Sequence, residues 1–134
     1  MVHSMQTWHI LVAEDDSDTR ELIELVLRRA GFGVSVTDDC SEVLQLLETE
    51  RFDALVLDNR MPKINGIELC RSIRSVNEHI PIIFCSGAVA ESDKEAAYAA
   101  GAQSYIEKLF DPHELTATVS SVLNLSKANG EGDV

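Results

Sequence analysis

Ile10-Leu11-Val12-Ala13-Glu14-Asp15-Asp16 joins four apolar residues directly to three carboxylates. A short apolar run bounded by polar residues reads as a strand covered on both faces, the usual place of a strand in a parallel sheet. Short runs rich in β-branched residues recur at Val34-Ser35-Val36, Ala54-Leu55-Val56-Leu57 and Ile82-Ile83-Phe84-Cys85, and more weakly at Tyr105-Ile106. Five strands are predicted. Between them apolar residues return at helical spacing: Leu22, Ile23, Val26, Leu27 and Ala30, then Val43, Leu44, Leu46 and Leu47, then Ile67, Leu69, Cys70 and Ile73. Gly31 is placed to close the first helix, and Ser92-Asp93-Lys94-Glu95 reads as a capping box opening the fourth. Asp111-Pro112-His113-Glu114 sets an N-cap and a first-turn proline ahead of Leu115, Val119, Val122 and Leu123. Strand and helix thus alternate, which predicts an α/β fold: a doubly wound three-layer sandwich of five parallel strands with five flanking helices.

The 134 residues suit one domain, large enough to bury a core without disulfides or a structural metal. Lys and Arg number 11 against 23 Asp and Glu, a formal charge of -12 that speaks against direct binding to nucleic acid phosphates. No apolar run approaches the length of a bilayer crossing, and Met1-Val2-His3-Ser4-Met5-Gln6 has no basic stretch leading into an apolar segment. A cytoplasmic location and no membrane contact are expected. Cys40, Cys70 and Cys85 fit neither a disulfide framework nor a zinc site, and Cys70 and Cys85 read as packing residues. His3, His9, His79 and His113 lack metal-ligand spacing, and Trp8 reads equally as a core lid or an exposed contact. Residues 1–8 are expected to form an N-terminal extension and 9–125 the folded domain. The stretch 126–134 lacks apolar periodicity and is expected to fray as a disordered tail.

In such a sheet every strand points its C-terminal end to one edge, where ligands bind. Glu14, Asp15 and Asp16 follow the first strand, Asp58 the third, Ser86 the fourth and Lys108 the fifth. Carboxylates gathered there repel one another unless a cation sits between them, and an all-oxygen donor set suits Mg²⁺ or Mn²⁺. Asp16 beside Ser17 reads as a helix cap in preference to a ligand. Asp58, carried on a rigid strand, suits a carboxylate nucleophile toward phosphorus. Lys108 would offset charge on the transferred phosphoryl oxygens, and Ser86 would donate to one of them.

Taken in order, Glu14-Asp15-Asp16, Leu57-Asp58-Asn59-Arg60-Met61-Pro62 with Gly66, Ser86-Gly87 and Tyr105-Ile106-Glu107-Lys108 resemble the receiver domain of two-component response regulators, over about residues 9 to 125. The resemblance implies a flavodoxin-like strand order of 2-1-3-4-5. It implies that Asp58 accepts a phosphoryl group from a phosphohistidine of a sensor kinase or phosphotransfer protein, or from a small phosphodonor. It implies that Asp15, Asp58 and Glu14, with the backbone carbonyl of Arg60, hold the cation, and that Ser86 and Tyr105 form a switch pair. The fourth helix, fifth strand and fifth helix would then signal to a downstream protein or output domain, with a phosphorylation-dependent dimer as one form of output. Such a domain is a signalling unit, and its only chemistry is self-catalysed phosphotransfer and self-dephosphorylation.

The family usually has a proline after this lysine, joined by a cis bond; Leu109 stands here, and a trans bond is expected. Arg60 and Ala88 stand where, in this family, residues flank the path of hydrolytic water. Three rivals share parts of the pattern. An FMN binder would need hydroxyls, glycines and backbone N–H groups where carboxylates stand. A haloacid-dehalogenase-type phosphatase would need a second aspartate, which Asp58-Asn59-Arg60 lacks. A degenerate receiver that only binds a partner would have no need of Asp58, Asp15 and Lys108 together. The sequence leaves open whether the domain acts alone or as a module of a larger protein.

Overall fold

A computed structural model describes residues 7–61 and 63–131, with side chains to residue 124. The elements alternate as the periodicity predicts: β1 (His9–Ala13), α1 (Ser17–Arg29), β2 (Gly33–Thr37), α2 (Ser41–Thr49), β3 (Ala54–Leu57), α3 (Gly66–Val76), β4 (Ile82–Ser86), α4 (Glu91–Ala100), β5 (Ser104–Glu107) and α5 (Pro112–Glu131). The strands form one parallel sheet in the order β2-β1-β3-β4-β5. This is a doubly wound, flavodoxin-like fold. Ala13 pairs with Leu57, so the residues that follow, Glu14 and Asp58, leave neighbouring strands side by side.

Period-two alternation splits the core into two layers. Leu11, Ala13, Leu55, Leu57, Ile82 and Phe84 pack with Val43 of α2, Leu69, Cys70 and Ile73 of α3, and Ala97 of α4. Ile10, Val12, Val56, Ile83 and Cys85 face the other way, onto Ile23 and Leu27 of α1 and Leu115, Val119 and Leu123 of α5. Burial on both faces is why the β1, β3 and β4 sequences read as unbroken apolar runs. All three cysteines are buried, with Cys40 Sγ donating to the Ile64 carbonyl. Trp8 is half-buried and packs with Phe32 and Phe110 against the α1 and α5 layer, so it serves as a lid.

Caps set the helix starts near the site. Asp16 is the N-cap of α1, its carboxylate accepting from the Thr19 amide at 2.9 Å, as its place beside Ser17 suggested. Asn65 caps α3 by accepting from the Glu68 amide at 2.8 Å. Gly66 follows with no room for a side chain, since a Cβ would lie 2.5 Å from the Asp58 carbonyl oxygen and 2.8 Å from the Phe84 ring. That contact presses α3 against the end of β3.

Two boundaries differ from expectation. Ser92 is not the cap of α4: the helix begins at Glu91 with Ala90 as N-cap, and Asp93 supplies the reciprocal bond to the Ala90 amide at 3.2 Å. Ala90 takes the extended cap conformation, and the Asp93 carboxylate alone satisfies a donor there. The backbone of α5 continues past residue 125 to Glu131, because extending a formed helix through Lys127 and Ala128 costs little per residue. Residues 1–6 of the expected N-terminal extension and 132–134 of the expected tail lie outside the described residues. Among the described residues no helix is long and apolar enough to cross a membrane.

Candidate functional site

The C-terminal ends of β1, β3, β4 and β5 deliver their polar residues to one edge of the sheet. Asp58 is 4 % exposed and Glu14 only 1 %. One carboxylate oxygen each from Glu14, Asp15 and Asp58 lie within 4.8 Å of one another, with Asp15 exposed at the mouth. Lys108 reaches in from the end of β5, its Nζ 2.8 Å from Asp58 Oδ2 and 2.8 Å from Glu14 Oε1. The Arg60 amide donates to Asp58 Oδ1 at 3.0 Å, so both acceptor oxygens are oriented.

Electrostatics follow from this crowding. Burial pushes the Glu14 carboxyl up from 4.5 to about 7; the charge on Asp58 adds to the rise, while Lys108 and the Asp16 amide oppose it. Burial works against the Lys108 ammonium, yet the neighbouring Asp58 and Glu14 carboxylates outweigh that and raise its pKa. At Asp16 the Thr19 hydroxyl and amide hold the carboxyl below the usual range.

Ser86 is fully buried, its Oγ accepting from the Ala88 amide at 3.1 Å. Tyr105 donates its hydroxyl to the Ala88 carbonyl and lies half-buried, its ring parallel to Phe84 with centroids 5.7 Å apart. Ala88 therefore joins Ser86 and Tyr105 through one residue's backbone. Among the described residues no peptide bond is cis, that between Lys108 and Leu109 included, and Leu109 stands fully exposed at φ 38°. A trans bond there is what the absent proline led us to expect. Lys108 is held in the pocket regardless, because its amide donates to the Ser86 carbonyl at 2.9 Å.

Sequence reasoning missed one side chain. Arg20, in the first turns of α1, donates from Nη1 to the Glu14 carbonyl at 3.0 Å and to the Asp15 carbonyl at 3.4 Å. An arginine four residues after a helix cap was the available signal, but a grip on loop carbonyls leaves no pattern of its own. Among the described residues, none of His9, His79 and His113 bonds into the acidic cluster; His9 instead pairs with Ser35 Oγ at 2.8 Å.

The donor set fits a hard divalent cation. It is all oxygen, it pairs three carboxylates with one ammonium, and the buried Glu14 Oε1 meets Lys108 as an ion pair without completing a hydrogen bond. An orphaned acceptor of this kind gains when a cation is present.

Comparison with known proteins gives the same picture. The family described as "Response regulator receiver domain" matches residues 10–120. The chain is 35% identical over 124 residues to response regulator MprA of Mycobacterium avium, covering 92% of this chain and 54% of that protein. It therefore spans about half the length of the curated relatives it matches. A putative response regulator from Chloroflexus aurantiacus superimposes with a TM-score of 0.85 at 34% identity, covering 89% of this chain and 99% of that one. The receiver domain of sensor histidine kinase PA1611 from Pseudomonas aeruginosa, solved with magnesium coordinated in its active site cleft, superimposes with a TM-score of 0.82 at 28% identity, covering 89% and 99%. With its fold, the order of its strand-end residues and these matches in agreement, the chain belongs to the response regulator receiver domain family of two-component signalling.

Proposed function

We propose that residues 9–125 form a phospho-accepting receiver unit in which Asp58 takes a phosphoryl group from a phosphohistidine of a sensor kinase or phosphotransfer protein. The observation that carries this reading is the setting of Asp58: buried, bonded to Lys108 at 2.8 Å, and sharing a 4.8 Å neighbourhood with oxygens of Glu14 and Asp15. A carboxylate oxygen of Asp58 attacks phosphorus in line as the P–N bond breaks, and the departing imidazole nitrogen keeps the electron pair. Lys108, already ionised and positioned, follows the charge onto the phosphoryl oxygens, and Ser86 Oγ–H turns from its local bond to donate to one of them. Asp15, Asp58, Glu14 and the Arg60 carbonyl would hold Mg²⁺ or Mn²⁺, which neutralises charge on the phosphoryl oxygens.

The output follows from the Ala88 link. When Ser86 Oγ turns to the phosphoryl group it releases the Ala88 amide, and the Ala88 carbonyl that holds Tyr105 shifts with it. The ring of Tyr105 then moves inward and the surface of α4, β5 and α5 changes. A downstream protein or output domain reads that surface, either directly or through a phosphorylation-dependent dimer, in the cytoplasm where its kinase acts.

Intact-mass measurement after incubation with Mg²⁺ and a small acyl phosphate tests the reading. Wild type should gain one phosphoryl group, with no gain in excess chelator or in Asp58→Asn. Continuous release of phosphate with no labelled protein would point to a phosphatase, and no reaction at all to a binding module.

A further inference from the structure

Among the described residues two basic side chains hold the β1–α1 loop, and Arg20 is the one that touches only its backbone. Asp15 presents an unusual problem there. Its carboxylate is exposed and makes no hydrogen bond or ion pair among the described residues, yet one of its oxygens lies within 4.8 Å of those of Glu14 and Asp58. Something other than side-chain partners must aim it. The carbonyls on either side of the Asp15 Cα, those of Glu14 and Asp15 itself, both accept from Arg20 Nη1, at 3.0 and 3.4 Å. The loop is tied further by the Glu14 amide donating to the Thr37 carbonyl at 3.0 Å and the Asp16 amide donating to Glu14 Oε2 at 3.1 Å. Fixing both peptide planes that flank a residue fixes the direction of its Cα–Cβ bond, and so the cone its carboxylate can sweep.

We propose that Arg20 is a positioning residue for the divalent cation, orienting Asp15 by gripping the two carbonyls that flank it. The inference rests on the reading of the acidic cluster as the receiver's cation site. The guanidinium also carries a positive charge, which by itself would disfavour a cation nearby. Arg20 is half-exposed, so that repulsion is strongly screened, whereas the loss of a partner that orients a metal ligand typically weakens metal binding by about ten- to a hundredfold. Grip and charge therefore predict opposite signs when Arg20 is replaced.

Titration of the full chain with Mn²⁺, following free metal by its paramagnetic resonance, separates them. Arg20→Met, which removes both the charge and the donors, should weaken Mn²⁺ binding on the order of tenfold. Its metal-free thermal midpoint should match wild type, with faster hydrogen exchange confined to the amides of the β1–α1 loop. Arg20→Lys keeps the charge and can satisfy one carbonyl, so it should bind with intermediate strength. Binding by Arg20→Met as tight as wild type, or tighter, overturns the proposal, as does a lowered midpoint with unchanged affinity. If Arg20→Met does not fold, Arg20→Lys decides: weaker binding supports the grip and equal binding overturns it. A wild type that binds no Mn²⁺ would instead overturn the cation site itself, and the role of Arg20 with it.

Discussion

Lys108 holds two carboxylates with one ammonium, and the balance is uneven: Asp58 receives a full hydrogen bond while Glu14 Oε1 receives only an ionic contact. The full hydrogen bond thus goes to Asp58, beside a Glu14 carboxyl that burial pushes toward its neutral form. Arg60 adds a different control. Its amide orients Asp58 while its side chain is exposed at the rim, where it can screen a phosphoryl group from hydrolytic water. Arg60→Ala should shorten the lifetime of the aspartyl phosphate several-fold, on the order of 1 kcal/mol in the hydrolysis barrier. Decay rates measured after removal of the phosphodonor check this, and equal rates for the two proteins would contradict it. At this scale the sequence was legible wherever a residue acts through its own functional group at a strand end: Asp58, Lys108, Glu14 and Asp15 all stand at the edge where they were expected. It was illegible where a residue acts through backbone. Arg20 grips carbonyls, and Ala88 links Ser86 to Tyr105 through its amide and carbonyl, so neither side chain advertises the contact.

Elements carry the site by their ends. β1, β3, β4 and β5 each place one or more polar residues at the sheet edge, and the parallel register aligns them. The apolar runs of β1, β3 and β4 made those strands legible to within a residue, because burial on both faces leaves no ambiguity of period. Helix starts were harder: α4 opens on Ala90, which takes the extended cap conformation and has no polar side chain of its own to signal a cap. The far end of α4 is clamped instead. Arg74 of α3 donates Nε and Nη2 to the Gly101 carbonyl at 3.1 and 2.7 Å, and Nη2 to Gln103 Oε1 at 3.0 Å. Gly101 sits at φ 115°, and a Cβ there would lie 2.7 Å from Arg74 Nε. Gly101→Ala should therefore cost about 1–2 kcal/mol, through left-handed strain and displacement of Arg74, visible as a lower urea midpoint at unchanged slope. A midpoint equal to wild type would show that the clamp yields without cost.

For the whole molecule, the concentration of negative charge at one edge ties stability to pH and metal. Glu14 titrates near 4.5 when unfolded and at about 7 when folded, so between those values the folded state holds a proton that the unfolded chain has released. Its contribution is fully present below 4.5 and is lost as pH rises through about 7. Asp16 and Asp39, lowered by their hydrogen bonds, act oppositely and only in the acid range below 3.8. The chelated protein should thus lose thermal stability as pH rises across the Glu14 window; Glu14→Gln should flatten that slope, and Mg²⁺ should offset the loss. A chelated wild type with a flat profile there would contradict the electrostatic account. The central claim, that this edge exists to phosphorylate Asp58, is tested most directly by locating the phosphoryl group. Borohydride converts an aspartyl phosphate to homoserine, so wild type treated with Mg²⁺ and a phosphodonor, then reduced and sequenced by mass spectrometry, should carry homoserine at position 58. Homoserine at another carboxylate, or at none, would contradict it.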